Sequence, residues 1–163
     1  LFEDPSNLYR SLEHYRTSFK SHTEAMWVSK LGLRQSAPGD DELVAQLVSL
    51  LRVVETDMTI FFRSLGTIDG LNPLDMAHAY YDEAALPVDE LGLWLGKWWS
   101  RVDGDPDREA MNNANPKYVL RNWMSQLAIE AAEADDYSVA IELQDLLRAP
   151  YEEQPSSQDR WYK

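Results

Sequence analysis

Apolar residues recur along most of this chain at the three- and four-residue intervals of an amphipathic helix. Near the start of the chain, the apolar positions at this spacing are Leu8, Leu12, Tyr15, Phe19, Met26 and Leu31. A second periodic segment follows the acidic pair Asp40 and Asp41, and its apolar positions are Leu43, Leu47, Leu50, Leu51 and Val54. No pair of alternating segments joined by a short turn indicates a β-hairpin. The pattern therefore predicts helices rather than a sheet.

Most of the later helices are predicted to begin with a capping side chain or a proline, the residues favoured at helix starts. These starts are "NPLDMAHAYYDEA", "PVDELGLWLGKWWSRV", "DPDREAMNNA" and "NPKYVLRNWMSQLAIEAAEAD". The segment "TDMTIFFRSL" is predicted to end at Gly66, and "YSVAIELQDLLR" ends before Pro150. We predict an all-α fold, with a single helical domain of about seven to eight helices over residues 1–163.

Composition limits the possible partners. The chain has 163 residues with a formal charge of −13, six Trp, eight Tyr and no cysteine. This aromatic content is sufficient for a core and argues against disorder. Nucleic-acid binding requires clustered Lys and Arg, and anionic membranes also attract basic segments, so we predict neither partner. No apolar run approaches the roughly 20 residues that a membrane-spanning helix needs.

Two patterns resemble parts of metal sites. Asp103, Asp105 and Asp107 alternate like the first ligands of a calcium loop, but Arg108 and Ala114 stand where that loop needs glycine and glutamate. The three histidines, His14, His22 and His78, lack the spacing of a zinc motif. Phosphate-binding glycine loops and nucleophile motifs are also absent. We therefore predict no catalytic residue, no cofactor-binding residue and no metal ligand in this chain.

The tryptophans of "GLWLGKWW" allow two interpretations. Trp94 and Trp98 lie one helical turn apart, with Trp99 beside them. They could pack a helix into the core, which is the more common role of such a cluster. Alternatively, Trp94, Trp98 and Trp99 could form an exposed interaction surface that stacks on a ligand or binds a protein.

The segment "NPKYVLRN", residues 115–122, places two cations near a predicted helix start. Asn115 is the predicted cap, with Pro116 in the first helical position and Lys117 and Arg121 four residues apart on one face. Cations at a helix N-terminus cost about 0.3–1 kcal/mol, so a neighbouring anion is expected. A bound phosphate is one candidate. A carboxylate is the other, either from "PYEEQP" or from a part of the protein outside this chain. We interpret a larger set as a structural clasp or docking element: Asn115, Lys117, Tyr118, Arg121, Asn122, Glu152 and Glu153.

One segment resembles a helical repeat. In "LAIEAAEADDYSVAIELQDLL", Ala128, Asp136, Tyr137 and Ala140 occupy the small-residue and turn positions of a tetratricopeptide unit. No second copy precedes it by about 34 residues, so an antiparallel helix pair is the better interpretation. An independent helical protein-interaction module with no enzymatic role remains the alternative function.

Four strings together resemble the C-terminal region of one family. They are "NPKYVLRNWMSQLAIEAAEADDYS", "LLRAPYEEQP", "KLGL" and "DMTIFFRSL". This combination resembles selenoprotein O, the SelO family of protein adenylyltransferases, from about residue 8 to about residue 155. The resemblance implies that the chain is the helical part of a larger kinase-like protein. We expect both ends to be cut edges of that longer protein.

The resemblance also implies an activity for the parent protein. Members of the family are understood to bind ATP with Mg²⁺ or Mn²⁺ and to transfer AMP to Ser, Thr or Tyr hydroxyls of proteins. The residues that do so belong to the preceding kinase-like part, and none maps onto this chain. We therefore expect the chain alone to be inactive and to dock on the kinase-like lobe, with protein substrates as the parent's partners. The expected location is the cytoplasm in a bacterium or the mitochondrion in a eukaryote.

Overall fold

The structure is a computed structural model and describes residues 5–162. Its α-helices are α1 Pro5–Lys30, α2 Asp40–Leu50, α3 Met58–Leu65, α4 Val88–Arg101, α5 Arg108–Ala114, α6 Asn122–Glu133, α7 Ser138–Arg148 and α8 Pro155–Trp161. Two 3₁₀ helices, Pro73–Ala79 and Glu83–Ala85, lie between α3 and α4. An isolated bridge joins Thr56 and Tyr80, and residues 5–162 contain no β-strand. The predicted all-α fold is confirmed.

Capping side chains set several of the helix starts. Asp57 accepts a hydrogen bond from the backbone N–H of Ile60 at the start of α3, and Asp107 accepts one from Ala110 at the start of α5. Asn72 caps the first 3₁₀ helix in the same way. Each of these bonds satisfies a donor that the first turn of a helix leaves free. The cap of α5 is therefore Asp107 and not Asp105, the first residue of the predicted start "DPDREAMNNA".

The largest departure from the predicted elements is at the start of α6. The helix begins at Asn122, whereas the sequence pattern predicted a start at Asn115. The backbone N–H groups of Lys117 and Tyr118 donate instead to the carbonyl oxygen of Pro150, at 2.8 and 3.1 Å. Because these donors are used across the fold, residues 115–121 are not helical, and Lys117 and Arg121 do not share a helical face.

The buried apolar side chains form two clusters. The larger one is formed by side chains from the stretch of sequence that runs from the end of α1 to α5. It includes Leu31, Leu47, Phe61, Leu65, Trp94, Trp98 and Met111. The smaller one consists of Tyr118, Met124, Leu143, Leu146 and Trp161, from residues 115–121 and helices α6 to α8. We refer to them as the main core and the C-terminal core. Tyr162 packs against both of them.

The tryptophans of α4 belong to the main core. Trp94 and Trp98 are buried with their rings stacked, and their indole N–H groups donate to the backbone carbonyls of Leu43 and Leu31. Trp99 is half-buried and tilted against Trp98. The structure thus corrects the alternative in which Trp94, Trp98 and Trp99 form an exposed interaction surface, because packing and hydrogen bonding already use them.

Helices α6 and α7 pack against each other across a short turn. Asp135 has a φ of 62° in this turn, and Asp136 accepts a hydrogen bond from the N–H of Ser138 at the start of α7. A turn of this length brings consecutive helices together in antiparallel fashion.

Within residues 5–162 no helix has the length and apolar character needed to cross a bilayer.

Candidate functional site

A network of charged and amide side chains lies where the main core meets the C-terminal core. We call it the charged network, and it consists of Lys30, Asp57, Arg63, Asn115, Lys117, Arg121 and Glu153. These residues come from α1, α3, the segment before α6 and the loop before α8. The network therefore connects parts of the chain that are distant in sequence.

Arg63 is the most enclosed cation of the network. Its side chain is only 6% exposed. One guanidinium nitrogen donates to the backbone carbonyls of Asn112, Asn115 and Tyr151, each at 3.3 Å, and the other donates to Glu153. A buried cation is tolerated only when its donors are paired in this way. Arg63 thus ties α3 to the end of α5 and to the loop between α7 and α8.

The carboxylate of Glu153 bridges two buried cations. One oxygen accepts from Arg63 and the other from Lys117, whose ammonium also donates to the side-chain oxygen of Gln158 at 2.9 Å. The hydrogen bond from Lys117 lowers the pKa of Glu153; burial opposes this, and the bond and charge of Arg63 add to the lowering. The ring of Tyr162 lies 5.0 Å from the same ammonium, in cation–π range.

The two tyrosines beside Lys117 are held in their neutral form. Burial raises the pKa of Tyr118, whose hydroxyl donates to the carbonyl oxygen of Gln154 at 3.1 Å. Burial also raises the pKa of Tyr162 to about 12. At neutral pH both hydroxyls are therefore hydrogen-bond donors, and neither is suited to act as a base.

Arg121 and Asp57 form a second ion pair in the network. Asp57 uses one carboxylate oxygen to cap α3 and the other to bind Arg121, the residue that precedes α6. Both side chains are largely buried. This pair connects the N-terminal ends of two helices that belong to different cores.

Asn115 anchors the segment before α6 to the end of α1. Its side-chain oxygen accepts from the ammonium of Lys30 at 2.8 Å, and its amide nitrogen donates to the carbonyl oxygen of Lys30 at 3.0 Å. Burial lowers the pKa of Lys30, whose ammonium also lies 4.4 Å from the ring centre of Phe62. Asn115 therefore has a packing role at the end of α5, not the helix-starting role that the sequence pattern predicted.

The structure separates the two glutamates of "PYEEQP". Both side chains are exposed, that of Glu153 by 62%, but the Glu153 carboxylate binds Arg63 and Lys117, whereas the bond described for Glu152 is from its backbone N–H to Ala149. Asn122 is the first residue of α6, next to Arg121. Of the seven residues proposed as a clasp or docking element, the network itself contains Asn115, Lys117, Arg121 and Glu153, and Tyr118 packs beside it.

The three aspartates that alternate like the first ligands of a calcium loop have other structural roles. Asp105 pairs with Arg34, Asp107 caps α5, and Asp103 has a φ of 53° in the turn after α4. Within residues 5–162 no group of three or more His, Asp or Glu side chains is arranged to hold a metal ion.

Comparison with known proteins assigns the chain to a family. A family model described as protein adenylyltransferase SelO matches residues 1–148. The chain belongs to the SelO family. The resemblance noted in the sequence is confirmed, and the matched portion is a C-terminal piece of longer proteins.

Curated relatives of the SelO family show how much of a whole protein this chain represents. The protein nucleotidyltransferase YdiU of Flavobacterium johnsoniae is 38% identical over 99% of this chain and 33% of its own length. The YdiU of Aromatoleum aromaticum is 38% identical over 91% of the chain and 30% of its own length. The YdiU of Rhodopirellula baltica is 37% identical over 97% of the chain and 34% of its own length. The chain spans about a third of the length of these relatives.

The strings that carried the SelO resemblance supply the residues of the charged network. "NPKYVLRN" contributes Asn115, Lys117 and Arg121, and "LLRAPYEEQP" contributes Glu153. "DMTIFFRSL" contributes Asp57 and Arg63, and "KLGL" contributes Lys30. Sequence reasoning missed Arg63, although an arginine inside an apolar helical segment is a signal, because burying it requires several acceptors. It also missed Asp57, whose position before an apolar helical segment is typical of an N-cap, and Lys30, for which the sequence pattern offers no signal.

Proposed function

We propose that this chain is the non-catalytic C-terminal helical region of a protein adenylyltransferase that transfers AMP from ATP to Ser, Thr or Tyr hydroxyls of proteins. The observation that carries the proposal is the match of residues 1–148 to the SelO family. The relatives are named protein nucleotidyltransferases, which supports nucleotidyl transfer by the parent. Within the parent, the role of this chain is helical support docked on the kinase-like lobe.

The contacts of the charged network support a structural role for its cations. AMP transfer requires positive charge at the phosphates and a carboxylate that accepts the proton of the incoming hydroxyl. Here Arg63, Lys117 and Arg121 are already bonded to Glu153, to Asp57 or to backbone carbonyls. We therefore assign ATP binding to the kinase-like part of the parent. The Mg²⁺ or Mn²⁺ ion that would balance the charge of the phosphates is assigned to the same part.

The expected partners follow from this assignment. Protein substrates bind the parent, whereas this chain has an intramolecular partner, and we propose no nucleic-acid or membrane partner because of its charge of −13. The relatives named above come from bacteria, so the proposed location is the cytoplasm. In a eukaryotic member the proposed location would be the mitochondrion.

A transfer assay tests the proposal directly. The full-length parent and this 163-residue chain are each incubated with ATP labelled at the α-phosphate, Mg²⁺ or Mn²⁺, and candidate proteins. We expect label on protein with the parent and none with the chain alone, with circular dichroism confirming that the chain is helical. Labelling by the chain alone would show that it is catalytic, and absence of labelling by the parent would refute AMP transfer.

A second candidate function is an independent protein-interaction module built on α6 and α7. The observation that favours it is the exposure of Ile129, Tyr137 and Ile141 on or next to this helix pair. An independent module should stay soluble and monomeric when it is expressed without the rest of the parent. Aggregation of the excised chain would favour the docked region instead, since a docking face exposes apolar surface once its partner is removed.

A further inference from the structure

Helix α1 carries a row of exposed apolar side chains along one face. The row, which we call the α1 seam, consists of Leu8, Leu12, Tyr15, Phe19 and Met26. Their spacing of four, three, four and seven residues keeps them on one side of a helix. Their exposed fractions lie between 43% and 64%, and the rings of Tyr15 and Phe19 stack with centroids 5.9 Å apart. The seam is thus an apolar face that residues 5–162 leave largely uncovered.

The two halves of α1 differ in their contacts. Near the C-terminal end, Trp27 packs against Phe62, and Lys30 is bonded to Asn115 in the charged network. In contrast, every residue from Ser6 to Thr17 is exposed. Most of the stability of a protein helix comes from packing of its apolar face, and a helix exposing a contiguous apolar face marks an interaction site. Something outside residues 5–162 should therefore cover the seam.

We propose that the α1 seam is the surface on which the preceding, kinase-like part of the same polypeptide docks. This inference rests on the proposed function, because it takes the chain to be the C-terminal region of a longer enzyme. The relatives are about three times as long as the chain. In such a parent the preceding polypeptide joins α1 at its first turn, so it is present at the high effective concentration of a tethered partner.

The charges beside the seam indicate the chemistry of the docking surface. Beside the seam, α1 carries the cations Arg10, Arg16 and Lys20 and the carboxylates Glu13 and Glu24. Arg16 pairs with Glu13 and Lys20 with Glu24, so Arg10 is the cation in excess, in a chain whose formal charge is −13. A complementary partner is an apolar groove with acidic side chains at its rim. A second copy is not tethered to α1, so it could occupy the seam only at a concentration comparable to the effective concentration of the tethered segment.

Hydrogen exchange in the full-length parent tests the assignment. We expect the amides of residues 8–22 to exchange slowly in the wild type. Leu12→Glu and Phe19→Glu should each speed that exchange by about tenfold or more, because a docked helix that loses its packing opens locally. The matched control is Leu93→Glu, a substitution on an exposed face of another helix, which should leave α1 exchange unchanged. Unchanged exchange in α4 shows that the main core is still folded in each variant.

Several outcomes would overturn the inference. Fast exchange of residues 8–22 in the wild-type parent would show that the seam is not covered. A concentration-dependent dimer that Leu12→Glu dissociates in sedimentation would identify a second copy as the occupant. The transfer assay keeps the two proposals distinguishable. A parent that transfers AMP with α1 unprotected refutes only the docking surface, and a protected α1 in a parent without transfer activity refutes only the proposed function.

Discussion

Arg121 and Asp57 form an ion pair with a nitrogen–oxygen distance of 2.5 Å, with only 19% and 8% of their side chains exposed. Asp57 caps α3 in the main core, and Arg121 precedes α6 in the C-terminal core. The pair therefore joins the two cores at the ends of two helices. It also gives one of the two cations of "NPKYVLRN" an anionic partner that lies far away in the sequence.

Removing this pair should destabilise the fold without affecting nucleotide binding. We expect Arg121→Ala to lower the free energy of unfolding by about 1.5–3 kcal/mol, because it leaves the Asp57 carboxylate largely buried without its cation. Urea denaturation measures this change. The control is Arg148→Ala, whose pair with Asp145 is exposed on both sides and should change stability by less than about 0.5 kcal/mol. Loss of ATP binding by the Arg121→Ala parent at unchanged stability would contradict the structural role.

The two adjacent glutamates should respond differently to the same substitution. Glu153→Gln removes the negative charge that Arg63 and Lys117 share. Because the Glu153 side chain is 62% exposed and water screens its charge, we expect a loss of about 0.5–1.5 kcal/mol in the free energy of unfolding. Glu152→Gln is the matched control, since Glu152 is a likewise exposed neighbour outside the Arg63 and Lys117 ion pairs, and it should cost less than about 0.5 kcal/mol. Equal effects of the two substitutions would show that the bridge does not stabilise the fold.

The bridge also predicts how stability depends on pH. The folded state holds the pKa of Glu153 below its ordinary value of 4.5, mainly through the hydrogen bond from Lys117. A carboxylate with a lowered pKa contributes stability that is complete above 4.5 and is lost as the pH falls through the folded-state pKa. The stability difference between wild type and Glu153→Gln should therefore be largest near pH 7 and shrink below pH 4.5, as measured by urea titrations. A difference that is constant down to pH 3 would contradict this origin.

Asp40 should also contribute to the loss of stability in acid. Burial of Asp40 would raise its pKa, but hydrogen bonds from Arg101 and from the backbone of Ala37, together with the charge of Arg101, lower it overall. Its contribution is likewise present at neutral pH and lost in acid. The Glu153→Gln protein should therefore still lose stability in acid. Adding Arg101→Ala should make its free energy of unfolding less dependent on pH, as measured by urea titrations.

Two glycines should respond in opposite directions to substitution by alanine. Gly32, in "KLGL", has a φ of +65°, and an added Cβ would lie 2.8 Å from Sδ of Met111 and 3.0 Å from the backbone nitrogen of Asp107. Gly32→Ala should therefore cost more than about 1 kcal/mol. Gly96 lies within α4 with no neighbouring atom within 4 Å of an added Cβ, so Gly96→Ala should stabilise by about 0.5–1 kcal/mol. Thermal denaturation of the two variants checks both signs.

The tryptophans of α4 should behave as core residues. Trp98→Phe removes the donor to the carbonyl oxygen of Leu31 and leaves that acceptor buried, so we expect a loss of about 1–3 kcal/mol. Leu93→Ala, on an exposed face of the same helix, should change the free energy of unfolding by less than about 0.5 kcal/mol. Near-neutral behaviour of Trp98→Phe in a chemical denaturation curve would instead favour a surface role.

The sequence alone was sufficient to predict the helical class and the family. Apolar spacing and capping residues act within one or two turns, so they predicted α1, α2, α3 and α7 without knowledge of distant contacts. The same local rules failed at residues 115–121. There the backbone donors of Lys117 and Tyr118 bond to Pro150, and a hydrogen bond to a distant residue replaces the predicted helical one.

The partners of the charged residues were decided only by the tertiary structure. The sequence indicated that Lys117 and Arg121 need anions, but it could not determine that Lys117 binds Glu153 and Arg121 binds Asp57. It also could not determine which apolar faces are covered, since the periodicity of α1 resembles that of a buried helix although the α1 seam is exposed. Periodicity records that a residue faces one side of its own helix. What lies on that side depends on contacts between segments that are far apart along the chain.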